Sequence, residues 1–166
     1  MRSVAVALAM VLGLAACGTD AEAGSDATTS LTDQLEFTAD TVDGVNFEGT
    51  ALADKDVVLW FWAPWCTSCR REAPFVAKAQ AANPEVTFVG VAGLSETDDD
   101  MIAFVEDYDV GAFEHLNDVD GSLWQRFDVV RQPAYAFIDD TGTVETFRGE
   151  LGEDGIADRV ATLTGN

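Results

Sequence analysis

Basic side chains are scarce: nine Lys and Arg stand against 30 Asp and Glu, giving a formal net charge of -21 over 166 residues. So acidic a surface repels a phosphate backbone, which excludes nucleic acid as a natural partner. Cysteine is also thin, at three residues, too few for a disulfide scaffold, so the spacing of those three must carry their meaning. No apolar run is long enough to cross a bilayer; Val4 to Leu14 falls short of the length required. What is present is a chain 48% hydrophobic and 23% charged, which suits one globular domain and excludes a disordered protein.

Met1-Arg2-Ser3 places a positive charge before the Val4–Leu14 run, the pattern of a signal-peptide core. The run ends in Leu14-Ala15-Ala16-Cys17, which resembles the bacterial lipobox, where small residues precede a cysteine that is lipidated and becomes the first residue of the mature chain. The expected organisation is a signal peptide over 1–16, a lipidated Cys17 with a flexible tether over 17–33, and one domain over 34–166. The segment Gly18 to Thr32 is small, polar and acidic and cannot order itself, so it holds the domain roughly 20 Å from the membrane. Removing residues 1–16 takes away one Arg and no acid, so the mature chain is more acidic still. A location outside the cytoplasm permits stable disulfides.

Gln34 to Phe47 alternates loosely around an Asp43-Gly44 turn, which predicts a β-hairpin. Val57 to Trp62 is continuously apolar, as in a central strand buried on both faces, and it runs into Ala63-Pro64-Trp65-Cys66. A helix is predicted over Arg70–Ala82, kinked at Pro74, with Phe75, Ala79 and Ala82 on its inner face. Val86–Ala92 reads as a second buried strand. Thr97 caps a helix whose Met101, Phe104, Val105 and Tyr108 form a core stripe. Phe113–Leu116 is short and extended, and Ser122–Phe127 is a short helix. Ala134–Asp139 and Thr143–Arg148 flank an Asp-Asp-Thr-Gly hairpin turn, and Glu153–Leu163 closes the chain as a helix with Ile156, Ala157, Val160 and Leu163 inward. The order β, β, α, β, α, β, β, α describes a central sheet covered by helices, an α/β sandwich.

Cys66-Thr67-Ser68-Cys69 sits where the strand becomes a helix. A CxxC pair is either a redox disulfide or half of a zinc site; a structural zinc site needs four protein ligands, and beyond the pair the chain that follows offers only His115 and no further Cys, so redox use is preferred. The first turn of a helix has unpaired N–H groups and partial positive charge, so a thiol placed there ionises more readily than a free one. Cys66 is then the attacking thiolate, and Cys69, on the same helical face, resolves the mixed disulfide.

The segment Phe61 to Pro74, FWAPWCTSCRREAP, resembles the active-site strand and helix of the thioredoxin family, and within it the envelope-anchored redoxins of the DsbE, TlpA and ResA type. Arg131-Gln132-Pro133-Ala134 is similar to that group's cis-proline loop, and Asn117 to Trp124 to the run before it. The resemblance covers roughly residues 34–164. It implies a thioredoxin fold, a central mixed β-sheet flanked by helices, with an N-terminal β-hairpin and an inserted strand-helix segment near 93–118. The bias toward Ala, Asp, Val and Gly fits a GC-rich, actinobacterial genome.

The resemblance implies catalysis by Cys66, Cys69 and Pro133, client binding through Trp65 and the Gln132 backbone, and tuning of the thiolate by Arg131 and Glu72. It implies no cofactor beyond the cysteine pair and no metal. Glu72 has a second reading, as an exposed acid near a helix N-terminus. Thioredoxins proper carry a buried Asp six residues before the first Cys, where this chain has Trp60. Trp62 and Trp65 flank the site and would shield the disulfide, whereas Trp60 and Trp124 read as core. His115 reads as structural, and Asn117 to Gly121 as a turn, since the ligand pattern of a calcium loop is incomplete. The expected function is oxidation or reshuffling of disulfides in exported proteins, by a monomer anchored to the outer face of the cell membrane and served by a membrane redox partner. Two alternatives stand beside it: a thiol reductase of cytochrome c maturation, and a copper carrier using His115 as third ligand.

Overall fold

The computed structural model describes residues 31–95 and 97–165; the expected signal segment, Cys17 and most of the tether lie outside the described residues. A short helix α1 (Leu31–Leu35) is followed by strands β1 (Thr38–Asp40) and β2 (Asn46–Glu48), which pair antiparallel as the expected hairpin. The hairpin is shorter than the alternation suggested. Leu35 is buried from the end of α1, where it packs with Leu52 of a 3-10 turn (Gly49–Leu52). Val45, at the hairpin tip beside Gly44 with φ +76, is 61% exposed.

The remaining elements are β3 (Val57–Trp62), α2 (Thr67–Ala82), β4 (Thr87–Gly93), α3 (Asp98–Asp107), β5 (His115–Asp118), α4 (Ser122–Arg126), β6 (Ala134–Ile138), β7 (Val144–Arg148) and α5 (Gly152–Leu163). The five-stranded sheet has the order β5-β4-β3-β6-β7, with β3, β4 and β5 parallel and β6 and β7 antiparallel to their neighbours. This is the mixed sheet of a thioredoxin-like fold. The segment expected as an insertion supplies α3 and the edge strand β5, and Thr41 of the hairpin bridges to Leu116 on that edge.

Side chains alternate across β3, so its apolar run divides between two cores. Val58, Trp60 and Trp62 face a layer built from α2, α3 and α5, whereas Val57, Leu59 and Phe61 face α1, the 3-10 turn and α4. Every β3 side chain is fully buried, and each large one contributes about 2 kcal/mol or more. Gly90 is dictated by packing. It lies opposite His115 in the β4–β5 register, and a Cβ there would stand 2.0 Å from His115 Nδ1.

Helix α2 differs from its predicted form in two ways. It begins at Thr67, directly after Cys66, and continues through Pro74 to Ala82. Its buried residues are Cys69, Glu72, Ala73 and Val76, while Phe75 and Ala79 are half-buried and Ala82 is exposed. The inner face is therefore rotated from the predicted one because it includes a charged residue. On α5, Ile156 and Val160 are buried as expected, but Ala157 faces outward.

Candidate active site

Cys66 caps α2. Its backbone is extended (φ -74, ψ 108), and its Sγ accepts a hydrogen bond from the Cys69 N–H at 3.1 Å. The two cysteines form a disulfide with Cα atoms 5.3 Å apart. Cys69 is fully buried and Cys66 is 4% exposed, so an incoming thiolate approaches Cys66. The turn that presents Cys66 is held by its own backbone: Cys66 N–H donates to Ala63 O, and the Arg70 guanidinium donates through Nε and Nη2 to Pro64 O. Once the disulfide opens, a Cys66 thiolate remains at the positive end of α2 with a backbone N–H directed at it.

The register sets the second loop beside the first. Phe61 pairs with Ala134, so β3 runs out toward Cys66 at the same end of the sheet where β6 begins after Pro133. The Gln132–Pro133 peptide is cis, Pro133 is buried and Gln132 is half-buried. This loop is tied to β7: Arg131 Nη2 donates to Arg148 O at 3.3 Å, Gly149 N–H donates to Pro133 O at 2.9 Å, and Arg148 reaches the Asp128 carbonyl and carboxylate. Arg131 is exposed, with its guanidinium on the Arg148 carbonyl.

Glu72 is 1% exposed, which rules out its reading as a surface acid. Its carboxylate accepts hydrogen bonds from Tyr135 Oη (2.5 Å), Leu151 N–H (2.9 Å) and Gly152 N–H (2.9 Å). The last two donors belong to the start of α5, so one buried anion joins α2, β6 and the α5 N-terminus. Burial, followed by the nearby Glu72 charge, raises the Tyr135 phenol well above its ordinary range, which keeps it a donor.

Of the two tryptophans expected to shield the disulfide, only Trp65 is exposed, at 56%, and its Nε1 donates to Leu94 O at 2.7 Å. Trp62 is fully buried, stacks on Phe104 with ring centroids 4.1 Å apart, and donates from Nε1 to His115 Nδ1 at 3.1 Å. His115 Nε2 faces Val110 O at 2.9 Å, so the ring is the neutral tautomer with hydrogen on Nε2. Burial lowers its pKa to about 4. Trp60, also fully buried, has an indole N–H without a partner among the described residues. Asp118 caps α4: its carboxylate accepts from the backbone N–H groups of Leu123 and Trp124, both at 2.8 Å, and burial raises its pKa. The Asn117 to Gly121 run is thus the end of β5 and the turn that leads into α4, with Asp118 as the cap.

Sequence reasoning missed three of these links, the Trp62–His115 pair, the Glu72–Tyr135–α5 junction and the Trp65–Leu94 bond, because each joins residues distant in sequence. The one available signal was spacing: Glu72 follows Cys69 by three residues and so falls on the same helical face.

Comparison with known proteins places the chain in context. The AhpC/TSA family is matched over residues 32–147. The soluble secreted antigen MPT53 of Mycobacterium tuberculosis is 41% identical over 164 residues, covering 97% of this chain and 90% of the relative. A solved structure of MTB dsbF in its mixed oxidized and reduced forms superposes with a TM-score of 0.76 at 51% identity, covering 78% of this chain and 96% of that one. A secreted Mycobacterium tuberculosis disulfide oxidoreductase homologous to E. coli DsbE superposes with a TM-score of 0.75 at 42% identity, covering 79% and 98%.

Proposed function

The chain belongs to the AhpC/TSA family, with a thioredoxin-like fold, and from that premise we propose that it oxidises or reshuffles disulfides in exported proteins. It is a thiol:disulfide oxidoreductase whose working group is its own Cys66–Cys69 pair. The observation that carries the reading is the disulfide at the first turn of α2, with Cys69 fully buried and Cys66, at 4% exposure, the more accessible of the pair.

The chemistry balances without a cofactor. A client thiolate attacks Cys66 Sγ, the Cys66–Cys69 bond breaks, and Cys69 leaves as a thiolate that takes up a proton. A second client thiolate attacks the client sulfur of the mixed disulfide and releases Cys66 as the thiolate that the helix terminus favours. The client loses two electrons and the pair gains them. Turnover requires a disulfide-bearing partner to reoxidise the pair, and a membrane redox protein fills that role. Pro133 and the Gln132 backbone lie at the same end of the sheet as Cys66, placed to pair with an extended client strand. Tuning of the Cys66 thiolate is assigned to Arg131, which precedes the cis-proline peptide, and to Glu72, three residues beyond Cys69 on α2.

The expected domain organisation carries over to this reading: 1–16 removed, 17–33 as a tether whose last residues enter α1, and 34–166 as a catalytic monomer outside the cytoplasmic membrane. Attachment through lipid on Cys17 rests on the Leu-Ala-Ala-Cys motif, and among the described residues no helix is long and apolar enough to cross a membrane. Cys17→Ala should abolish acyl labelling; normal membrane retention without label overturns the anchor. The copper reading loses its third ligand, because both His115 ring nitrogens are engaged inside the core.

Refolding of a scrambled multi-disulfide protein tests the direction of the reaction. Recovery of native client with the Cys66–Cys69 pair supplied reduced, so that the Cys66 thiolate attacks a scrambled disulfide, and none in Cys66→Ser, is the expected result. Failure to act on any generic client, with rapid reduction of a haem-attachment CxxCH peptide, favours the cytochrome c maturation reductase instead.

A further inference from the structure

A cleft of about 560 Å³ opens beside the disulfide, between the active-site turn and the outer face of α3. Trp65 and Arg70, the residues on either side of the CxxC motif, form one wall, and Asp100, Asp107 and Tyr108 of α3 and its C-terminus form the other. Asp100 and Asp107 are seven residues apart and so project on one helical face two turns apart. Both are exposed, and among the described residues neither carboxylate pairs with a cation. Arg70 is the only basic residue on the lining, and its guanidinium is turned onto Pro64 O through Nε and Nη2. The aromatic wall is already in place: the Trp65 indole is fixed to Leu94 O at 2.7 Å, and Leu94 holds that carbonyl in a left-handed conformation (φ 53) unusual for a leucine.

We propose that this cleft is a specificity site that receives a Lys or Arg side chain flanking the client's reacting cysteine. The inference rests on the thiol:disulfide reading above. The aromatic faces of Trp65 and Tyr108 and the carboxylates of Asp100 and Asp107 together suit an aliphatic stem with a cationic head, by apolar contact, cation–π attraction and charge pairing. Because the wall is preformed, little ordering opposes the contact. A glutamate in the same place meets two like charges and is rejected.

The test uses the oxidised full-length mature chain and synthetic peptides with two cysteines, identical except for Lys, Ser or Glu on both flanks of the reacting cysteine. The Lys peptide should be oxidised with a kcat/KM about tenfold above the Glu peptide, the difference residing mainly in KM. In the double variant Asp100→Asn with Asp107→Asn this Lys-to-Glu ratio should fall close to one. In a charge-matched control, Asp154→Asn with Asp158→Asn on α5, it should persist. Equal rates for all three peptides, or an equal collapse of the ratio in both double variants, overturns the specificity site and leaves the oxidoreductase reading intact. Failure to oxidise any of the peptides would instead overturn that reading.

Discussion

Protonating His115 should destabilise the fold in mildly acidic solution. Its neutral ring accepts from Trp62 at Nδ1 and donates to Val110 O at Nε2, and an imidazolium, with hydrogen on both nitrogens, cannot make the first bond. Burial holds the folded pKa at about 4, below the ordinary value of 6.5. The unfolded chain therefore binds more protons between these values, and the stability contributed by the neutral ring is complete above pH 6.5 and lost as the pH falls toward 4. The full loss is about 3 kcal/mol, of which about 2 kcal/mol falls between pH 7 and pH 5. Asp118, whose pKa is raised by burial, acts in the opposite sense at the acid end, so the effect is read as a difference between two proteins. Denaturant unfolding of the wild type and of His115→Asn, at pH 7 and pH 5, gives the two pH dependences. His115→Asn lowers absolute stability, but its loss between pH 7 and pH 5 should be smaller than that of the wild type by about 2 kcal/mol. A difference below about 0.5 kcal/mol would refute the buried neutral ring.

Glu72→Ala should cost about 3 kcal/mol or more in chemical denaturation, because it leaves Tyr135 and the Leu151 and Gly152 N–H groups without their acceptor; a change within 0.5 kcal/mol, roughly the range of a neutral surface substitution, would contradict the junction. Gly90→Ala should destabilise by roughly 3 kcal/mol, since the new Cβ displaces the His115 ring and breaks its bond to Trp62; an unchanged denaturation midpoint would count against that packing. Arg131→Glu should raise the pKa of the reduced Cys66 thiol, read from the pH dependence of its alkylation in Cys69→Ala; an identical profile would assign Arg131 solely to its bond with the Arg148 carbonyl.

The parts of this molecule legible in its sequence are those governed by local pattern. The apolar run of β3, the Asp-Gly and Asp-Asp-Thr-Gly turns, the Thr97 cap and the CxxC at a strand-to-helix boundary each act over a few residues, and each lies where the pattern put it. The inner face of α2 was misread because periodicity assumes that a buried face is apolar, and here Glu72 is buried by three hydrogen bonds from residues more than sixty positions away. Trp62 reads from its place in the chain as a shield of the disulfide, and strand alternation buries it in the same core layer as Cys66 and Cys69, against Phe104 and His115. The need for glycine at position 90 is likewise invisible locally, since it arises from the β4–β5 register. Two tertiary facts, a satisfied buried anion and a satisfied buried imidazole, therefore account for most of what periodicity missed.

The central claim is that Cys66 and Cys69 take two electrons from client thiols through a mixed disulfide at Cys66. Mass spectrometry of the oxidised mature protein mixed with a fully reduced client tests it directly. The client should lose two hydrogens for each Cys66–Cys69 pair that gains two. Cys69→Ser, mixed with the same client in its disulfide form, should accumulate a covalent adduct mapped by peptide analysis to Cys66 alone. Two-electron transfer in the wild type with no Cys66 adduct in Cys69→Ser, or an adduct there through any cysteine other than Cys66, would contradict the account.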